Sequence, residues 1–494
     1  MSTKGRLVII GNGMAGWRLV EELVTRGATD LFDIVVFDEE PYGNYNRILL
    51  SSVLAGGHKP NDIFMKPPEW YAANGIRLHS GARVLQIDRR LRQVFGAGHV
   101  VEPYDKLVLA TGSSPFVPEF QGLSRDDGCY KEGVFVFRSL DDCRRIVEYA
   151  EGARTAAVIG GGLLGLEAAR GLMQRGLEVH VVHLMSHLME TQLDETAGAI
   201  LKQTLEGMGV QVHLEKATTG IRGSDRANGL DFGDGSWLDC DMVVVAAGIR
   251  ANVALARQAG LSVERGIVVH NDLTCRNDPD VYAIGECAQH RGVTYGLVAP
   301  AWEQAQVLAD VLTGLNSPAN YRGSRVSTKL KVMGIDLAAM GQKEAGGEDD
   351  EVVTYVEPSR GVYKKLVVRG ERLVGAILLG EGLGAPRLLQ AFDRDELLPE
   401  SRAELLFPLA GDSPGPNVAG LPDHARICHC NGVSKGRIIE AMRSGDLSLK
   451  AVGQTTRAGS GCGSCKPEIQ ALLNAANDHA QDEQSAGNLL VTQH

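Results

Sequence analysis

The alternation of apolar and polar positions is most regular in two stretches of the chain, 6–40 and 155–183. The first begins with the apolar run RLVII, passes through a glycine-rich turn into WRLVEELVTRG, which has helical periodicity, and ends near the apolar run DIVVF. The second stretch, TAAVIGGGLLGLEAARGLMQRGLEVHVVH, repeats the same order of segments. Short apolar runs that alternate with amphipathic helices are typical of parallel strands covered by helices. Each stretch therefore predicts a strand, a tight turn, a helix and a second parallel strand.

The turn of the first stretch has the spacing Gly11-x-Gly13-x-x-Gly16, and Asp38 follows its second strand. In a dinucleotide site the first glycine permits the tight turn, the second lets the backbone approach a pyrophosphate, and the third lets helix pack on strand. The phosphates meet the positive N-terminal end of the helix, and the acid accepts hydrogen bonds from the ribose. The predicted nucleotide contacts are Gly11, Gly13, Met14, Ala15, Gly16 and Asp38.

The second turn predicts a second nucleotide, so we expect a bound flavin dinucleotide and a nicotinamide held at once. His183 stands where the first stretch has an acid, which removes the usual carboxylate partner of the NADH 2′-hydroxyl. The following segment, LMSHLME, offers no arginine for the 2′-phosphate of NADPH either. We therefore favour NADH and keep NADPH as the alternative. The predicted contacts here are Gly160, Gly162, Leu163, Leu164, Gly165 and His183.

Three further apolar segments end in small residues or in an acid. Lys106–Pro115 and Asp241–Asn252 are strands that run into small residues, and we expect them to carry the chain between neighbouring domains. Val281–Cys287, VYAIGEC, is a strand that ends at an acid. Near a flavin this acid would accept from the ribityl hydroxyls; the alternative is a polar loop residue. The candidate cofactor contacts in these segments are Ala110, Thr111, Gly112, Gly248, Gly285 and Glu286.

Four of the nine cysteines form a pattern near the end of the sequence. Cys428 and Cys430 are spaced C-x-C, and after 31 intervening residues Cys462 and Cys465 are spaced C-x-x-C. Four thiolates in two tight pairs indicate a metal site, either a [2Fe–2S] cluster or a structural zinc. The C-x-C start favours the cluster, and His429 is expected to be an outer neighbour rather than a ligand. The single cysteines are expected to be small buried residues: Cys129, Cys143, Cys240, Cys275 and Cys287.

Length and charge limit the classes of function. A chain of 494 residues is too long for one core, so several domains are expected. The net charge of −11 argues against nucleic acid as a partner. No apolar run approaches the roughly 20 residues that cross a bilayer, and the N-terminus shows no signal peptide. We therefore expect no membrane association and a cytoplasmic protein, whose clustered cysteines serve metal or redox chemistry.

The motifs GNGMAG, LVLATGSSP, GGGLLGLE and VYAIGE make residues 1 to about 320 resemble the two-dinucleotide-fold flavoprotein reductases. Within that group, Glu40–Gly56 (EPYGNYNRILLSSVLAG) and Val181–Asp194 (VVHLMSHLMETQLD) resemble the flavin half of bacterial NAD(P)H-nitrite reductase large subunits. They also resemble the electron-transfer subunits of assimilatory nitrate reductases. The cysteine segment, with CNGVSKG, resembles the bacterioferritin-associated-ferredoxin-like [2Fe–2S] domain of the same proteins.

The resemblance implies an α/β fold with two Rossmann-like domains of the flavoprotein disulfide-reductase type, a small α+β domain and a small helical [2Fe–2S] domain. We expect an FAD-binding domain at 1–117 and 248–320 and an NAD(P)H-binding domain at 118–247. An α+β domain follows at 321–410, and Val362–Gly380 predicts two antiparallel strands with a turn at Arg369–Glu371. A Gly- and Pro-rich linker at 411–424 leads to the [2Fe–2S] domain at 425–475 and a polar tail at 476–494. The α+β domain makes a homo-oligomer possible.

The same resemblance gives roles to three sites whose bland alternatives stay open. Arg47 is expected beside the flavin, or is a loop arginine on the surface. Glu167 is expected to meet the nicotinamide carboxamide, or is a helix residue favoured by the dipole. Trp302 and Glu303 are expected near the isoalloxazine ring, or mark the start of a helix. Because residues 38–60 contain no cysteine, a flavin disulfide reductase is disfavoured.

These expectations combine into an electron-transfer subunit that takes electrons from NADH through FAD to [2Fe–2S]. The resembled nitrite reductase subunits continue into a sirohaem domain, whereas this sequence ends soon after its cysteines. A molybdopterin-binding nitrate reductase subunit is therefore the expected partner. The alternatives are delivery to nitrite reduction or to a small ferredoxin-like carrier, and a redox-sensing or docking protein that uses its cluster as a switch.

Overall fold

The computed structural model describes residues 4–316, 318–380, 385–407, 418–428, 431–461 and 463–476. They form four packed units, named here in order as the first, second, third and cysteine units. None of the described helices combines the length and the apolar character that a bilayer-spanning segment requires.

The first unit begins with the strand–turn–helix–strand order predicted from the sequence. β1 pairs in parallel with β2 on one side and with β7 on the other, and its residues Leu7–Ile10 are buried. Helices cover both faces of such a strand, which explains its continuous apolar run. The elements are β1 (Gly5–Ile10), α1 (Met14–Thr25), β2 (Phe32–Phe37), α2 (Leu50–Leu54), α3 (Pro68–Ala73), β3 (Arg77–His79), β4 (Val84–Asp88), β5 (Gln93–Gly96), β6 (Val101–Pro103), β7 (Lys106–Leu109) and β8 (Ser113–Pro115).

The second unit repeats this construction around a parallel sheet of five strands. Its strand order is β12-β11-β10-β16-β9, and β13, β14 and β15 form a separate antiparallel sheet. The elements are β9 (Val134–Val136), α4 (Leu140–Ala150), β10 (Thr155–Ile159), α5 (Leu163–Gln174), β11 (Glu178–Val182), α6 (Glu195–Gly207), β12 (Gln211–His213), β13 (Thr218–Arg222), β14 (Gly229–Phe232), β15 (Trp237–Asp239) and β16 (Met242–Val245).

The chain then returns to the first unit and completes its sheet. The eight strands lie in the order β21-β18-β19-β20-β7-β1-β2-β3, and the two crossing segments pair as β8 with β17. Helix α8 packs along α1. The returning elements are β17 (Ile249–Ala251), α7 (Ala254–Gln258), β18 (Ile267–Val269), β19 (Thr274–Cys275), β20 (Asp278–Ala283), β21 (Ala288–His290) and α8 (Val298–Thr313).

The third unit is an antiparallel sheet in the order β22-β23-β26-β25-β24 with helices on one face. Side chains alternate along β23: Ala338 and Met340 face α9, whereas Leu337 and Ala339 join the core of the second unit. The predicted hairpin at Val362–Gly380 is confirmed by the pairing of β25 with β26. The elements are β22 (Ser327–Val332), β23 (Ile335–Gly341), β24 (Asp350–Glu357), β25 (Val362–Arg369), β26 (Arg372–Gly380), α9 (Ala385–Arg394) and α10 (Ala403–Leu406).

The cysteine unit is small and mainly helical. It contains β27 (Arg426–Cys428), β28 (Val433–Ser434), α11 (Lys435–Arg443), α12 (Leu449–Thr456) and a last helix, α13, at 466–476. Ser434 and Ser448 cap α11 and α12 by accepting backbone N–H groups. The first half of the predicted linker, 411–417, and the predicted tail beyond residue 476 lie outside the described residues.

Candidate functional site

In the glycine-rich turn of the first unit, Gly11 and Gly16 pack tightly against neighbouring backbone, whereas Gly13 has free space beside it. Gly11 has φ +106°, and a Cβ there would overlap the carbonyl oxygen of Ala110, while a Cβ on Gly16 would overlap the carbonyl oxygen of Gly11. Among the described atoms, a Cβ on Gly13 would meet only Arg47 Nε, at 4.0 Å. The open side coincides with the first residues of α1, whose N–H groups lack helical partners. This arrangement fits a pyrophosphate.

Asp38 follows β2 and lies at the centre of a buried hydrogen-bond network. Asn12 Nδ2 donates to Asp38 Oδ2 at 2.9 Å, and the Tyr71 hydroxyl donates to Asn12 Oδ1 at 2.8 Å. The backbone N–H of Glu40 donates to the other carboxylate oxygen at 3.1 Å. Burial raises the pKa of the Asp38 carboxyl to about 6. Hydroxyl donors from a ribose would stabilise its charged form.

A cluster of charged residues surrounds the open side of this turn. Arg47 pairs with Glu40, its guanidinium lies 5.2 Å from the centroid of the Tyr45 ring, and Nη1 donates to the carbonyl oxygen of Arg138 at 3.4 Å. Among the described residues, neither Arg138 Nε nor Glu40 Oε2 has a hydrogen-bond partner although both are buried. Such atoms are satisfied when a polar ligand enters.

Glu286 lies in the turn after β20, directly against the start of α1. Ser113 Oγ donates to Glu286 Oε2 at 2.6 Å, and Arg138 pairs with the same oxygen. A Cβ on Gly285 would lie 2.7 Å from Ala15 Cβ, so only glycine permits this approach. The structure thus brings the predicted residues Gly13, Ala15, Arg47, Gly285 and Glu286 together around one opening.

The structure adds Arg138 to this site, which sequence reasoning missed. Arg138 belongs to the second unit, between β9 and the Ser139 cap of α4, and reaches the first unit across the boundary. The local signal, an arginine before a capping box, describes only a helix start. Its role follows from how the two units pack.

The strand-end segments line the same region. Ala110 donates its N–H to Ile10 beside the turn, and Thr111 Oγ1 donates to the carbonyl oxygen of Asn252 at 2.8 Å. Gly112 accepts the N–H of Asn252, and Gly248 accepts the N–H of Phe116, at the two ends of the antiparallel pair β8 and β17. These hydrogen bonds fix the two crossing segments beside the first turn.

The second glycine-rich turn has the same backbone construction. Gly160 has φ +127°, a Cβ there would overlap the carbonyl oxygen of Ala246, and a Cβ on Gly165 would overlap that of Gly160. Within the described residues, a Cβ on Gly162 would meet no atom within 4 Å. Leu163 and Leu164 begin α5 at this open side. The turn therefore also fits a pyrophosphate.

His183 follows β11, as Asp38 follows β2, but it has different partners. The backbone N–H of Gly161 donates to His183 Nδ1 at 3.0 Å, and His183 Nε2 lies 3.0 Å from Glu190 Oε2. The hydrogen bond from His183 holds the pKa of the Glu190 carboxyl below its usual value. A carboxylate is thus present in the second unit, on the loop rather than at the strand end.

Arg47 and Glu167 lie on elements that meet at the boundary between the first and second units. Arg47 lies three residues before the start of helix α2, which packs on α5: a Cβ on Gly171 would lie 2.5 Å from Leu54 Cγ. Glu167 is half-buried one turn into α5.

Trp302 lies at the contact between the first unit and the cysteine unit. It is 2% exposed, its ring centroid is 6.5 Å from that of Trp17, and Arg18 Cζ is 5.0 Å from its centroid. A Cβ on Gly432 would lie 3.9 Å from Trp302 Cε3. The neighbouring Glu303 pairs with Arg426 at 2.8 Å. Both side chains therefore belong to the surface of the first unit on which the cysteine unit packs, which we call the seat of the cysteine unit.

Two of the four predicted cluster ligands are described, and they share one core. Cys428 and Cys465 are 0% and 1% exposed and belong to the same buried apolar cluster, although 36 residues separate them. Cys430 and Cys462, with His429, lie outside the described residues. No group of three metal-binding side chains occurs in the part of the chain that is described. The burial of both thiols fits a dry metal site.

The scattered cysteines follow the expectation at four of five positions. Cys143, Cys240, Cys275 and Cys287 are buried, whereas Cys129 is exposed, so the expectation is wrong there. Cys129 lies in a surface turn in which its N–H donates to Asp127 Oδ1 at 2.9 Å. A turn closed by its own polar groups provides no core for a thiol.

Three family models match successive parts of the chain. The model for pyridine nucleotide-disulphide oxidoreductases matches residues 5–306, the rubredoxin NAD+ reductase C-terminal domain matches 327–396, and the BFD-like [2Fe-2S] binding domain matches 426–475. A solved structure of a ferredoxin reductase from Rhodopseudomonas palustris has a TM-score of 0.70 and 27% identity, covering 80% of this chain and 96% of its own.

Two Bacillus subtilis proteins align with 95% of the chain. The NAD(P)H nitrite reductase is 42% identical, and the assimilatory nitrate reductase electron transfer subunit is 41% identical. The alignments cover 57% and 59% of these two proteins, so the chain spans less than three fifths of either. The chain belongs to the pyridine nucleotide-disulphide oxidoreductase family, as an NAD(P)H-dependent flavoprotein that binds FAD and carries a [2Fe–2S] domain.

Proposed function

We propose that this chain passes electrons from NADH through FAD and the [2Fe–2S] cluster to a separate molybdenum nitrate reductase subunit. The observation that carries the proposal is that the cysteine unit packs against α1 and α8. α1 starts at the glycine-rich turn, and α8 contacts the Gly285–Glu286 turn through Gln304, which accepts the Gly285 N–H at 2.7 Å. The same two helices therefore touch the flavin-side turns and the cysteine unit.

The seat is held by two ion pairs and by aromatic contacts. Besides the Arg426–Glu303 pair, Arg457 pairs with Glu21 and its Cζ lies 4.2 Å from the centroid of the Trp17 ring. Asn431, next to a predicted ligand, donates to the carbonyl oxygen of Arg457 at 2.8 Å. These contacts hold the ligand-bearing loop against the first unit, which shortens the distance that an electron must cross.

The third unit holds the other side of the cysteine unit. Lys329 on β22 pairs with Glu468 on α13, and both side chains are almost entirely buried. Ser464, beside Cys465, donates to the carbonyl oxygen of Lys329 at 3.3 Å. Breaking a buried pair of this kind leaves an uncompensated charge, so the contact favours the docked arrangement.

We assign the flavin-side roles from the geometry of the first turn. Gly13 and the start of α1 bind the pyrophosphate, Asp38 binds ribose hydroxyls, and Glu286 accepts from the ribityl chain. Arg47 orients the flavin, and Arg138 fixes Glu286 in place. When bound, FAD would accept a hydride and supply electrons one at a time, which is needed because a nicotinamide gives two electrons together and an iron–sulfur cluster takes up one.

On the nicotinamide side, the turn at Gly160–Gly165 binds the NADH pyrophosphate. Glu167 accepts a hydrogen bond from the carboxamide and so fixes the face of the ring that meets the flavin. Correct orientation of this kind converts an encounter into an intramolecular step. The cluster, which passes the electrons on to the partner, is held by Cys428, Cys430, Cys462 and Cys465.

The acceptor is inferred from the relatives and from the cofactor order. The Bacillus subtilis relative named as an electron transfer subunit of assimilatory nitrate reductase supports nitrate, and the relative named nitrite reductase supports nitrite. Chain length does not separate them, because this chain spans similar fractions of both. We place the reaction in the cytoplasm, where thiols are kept reduced.

The test is an anaerobic assay that combines this chain, NADH and a purified molybdenum nitrate reductase subunit. We expect nitrite to form at ordinary enzyme rates, and no nitrite when Cys465→Ser replaces the wild type while NADH still bleaches the flavin. Nitrite consumption by this chain alone would overturn the choice of acceptor. Negligible NADH-to-dye turnover would favour a docking or sensing protein instead.

A further inference from the structure

The loop after β11 supplies the second unit with an acid that the motif lacks. His183 takes the strand-end position, yet both of its ring nitrogens have partners. Nδ1 accepts the Gly161 N–H, so the neutral ring carries its proton on Nε2 and donates it to Glu190. Neither nitrogen remains available to accept from a ribose hydroxyl. The acceptor at this position is therefore the Glu190 carboxylate.

The loop is folded back onto the glycine-rich turn, which fixes the place of Glu190. Met189 donates its N–H to the carbonyl oxygen of Gly161 at 3.0 Å, so the same residue of the turn contacts both His183 and the loop. Lys343 Nζ donates to the carbonyl oxygens of Glu190 and Leu193 at 2.5 and 3.2 Å. The Glu190 side chain is 34% exposed, so part of it is accessible from solvent.

Three lysines near this loop are engaged by other groups. Lys202 borders an adjacent cavity of about 460 Å³ and pairs with Glu206 at 2.6 Å. The backbone N–H of Lys216 donates to the His183 carbonyl oxygen, and its side-chain ammonium pairs with Asp234. Lys343 is bonded to the two carbonyl oxygens already described. A 2′-phosphate at this position would face the Glu190 carboxylate. Each of these three lysines already has another partner.

We propose that Glu190, positioned by His183, selects NADH over NADPH. Its carboxylate accepts a hydrogen bond from the adenosine 2′-hydroxyl and repels a 2′-phosphate. The inference rests on the proposed NADH-dependent reduction of the flavin and names the residue that chooses the nucleotide. A hydrogen bond to a charged acceptor is strong enough to discriminate at least tenfold.

The test compares Glu190→Gln with the wild-type holoenzyme. Dissociation constants of NAD+ and NADP+ are measured by calorimetry, and kcat/KM is measured for NADH and NADPH with a dye acceptor. We expect the preference for the unphosphorylated nucleotide to fall at least tenfold in both measurements, with flavin content unchanged. An unchanged ratio overturns the proposal.

The matched control is Glu178→Gln, which removes the same charge at the far end of β11 and should leave the ratio unchanged. If the variant fails to fold, the wild type alone can still overturn the inference, because equal affinity for NAD+ and NADP+ contradicts it. If neither nucleotide reduces the flavin, the proposed function fails. If NADH reduces it and Glu190→Gln keeps the wild-type ratio, only the role of Glu190 fails.

Discussion

The two glycine-rich turns share one backbone and differ in where the negative charge is held. In the first unit Asp38 is 7% exposed and locked by Asn12 and Tyr71. In the second unit the strand ends in His183, and the acid, Glu190, is one-third exposed on a loop. A buried acid held in place by its neighbours suits a cofactor that stays, and an accessible one suits a nucleotide that must leave after each turnover.

The largest expected effect separates the two turns directly. Gly16→Ala should abolish FAD binding, because its Cβ would overlap the Gly11 carbonyl oxygen and push α1 away from β1. We expect this overpacking to lower the free energy of unfolding by about 3 kcal/mol or more. Gly165→Ala should retain FAD and lose reduction by NADH at least a hundredfold. Flavin absorbance of the purified variants and anaerobic reduction rates measure both effects.

A third glycine variant provides the control for that pair. Gly207→Ala lies near the end of α6, where a Cβ would meet no described atom within 4 Å, and should leave both properties unchanged. If Gly165→Ala loses its FAD as strongly as Gly16→Ala, the two turns do not serve separate nucleotides.

A substitution in the cysteine unit should leave both turns intact. Cys465→Ser removes a predicted cluster ligand whose side chain lies in the core of that unit. We expect reduction of the external acceptor to fall more than a hundredfold while NADH reduces the flavin within twofold of the wild-type rate. Iron content and rapid-mixing absorbance provide the measurement. Loss of the flavin step as well would mean that the cluster is structural for the whole chain.

The buried acid of the first unit should make FAD binding depend on pH. Without flavin, burial holds the Asp38 pKa at about 6, above its unfolded value, so the flavin-free protein loses stability as pH rises from about 4 to 6. FAD favours the charged carboxylate, so its affinity should weaken by up to about tenfold per unit as pH falls below 6. Fluorescence titration of FAD across pH 4.5–8 measures this.

Asp38→Asn provides the matched comparison for the pH series. The amide keeps the shape of the side chain and cannot ionise, so FAD affinity should be weak and nearly independent of pH. A wild-type affinity that stays flat between pH 5 and 7 would show that Asp38 does not change its charge when FAD binds.

The smallest expected effect concerns the seat of the cysteine unit. Arg426→Ala removes a partly exposed ion pair with Glu303, which is worth about 1 kcal/mol or less. Electron transfer from flavin to cluster should slow by a fewfold, and Glu303→Ala should slow it no further in the double variant. Additive effects of the two substitutions would show that the pair does not couple the units.

The fold class was predictable because its signals are local. Strand, turn and helix follow one another within about 30 residues, so the sequence alone placed the strand-end positions of Asp38 and His183. The hairpin at Val362–Gly380 was predictable for the same reason, and the pairing of β25 with β26 confirms it.

The rest of the site depends on packing between distant segments. Arg138 reaches the first unit from the second, and Glu190 meets His183 only because its loop folds back on the turn. The expectation that Trp302 lies near the flavin ring stays a prediction, and the contacts of that side chain with Trp17 and Gly432 were not foreseeable from a helix start. No periodicity in the sequence encodes these approaches.

The central claim is that electrons move from NADH to FAD and then to the cluster within this chain. The most direct test mixes the anaerobic holoprotein with NADH and follows flavin absorbance together with the electron paramagnetic resonance signal of a reduced [2Fe–2S] cluster. We expect the flavin to bleach first and the cluster signal to follow, with the cluster signal absent in Cys465→Ser. A protein that contains zinc, or whose flavin bleaches while the cluster stays oxidised, would contradict the account.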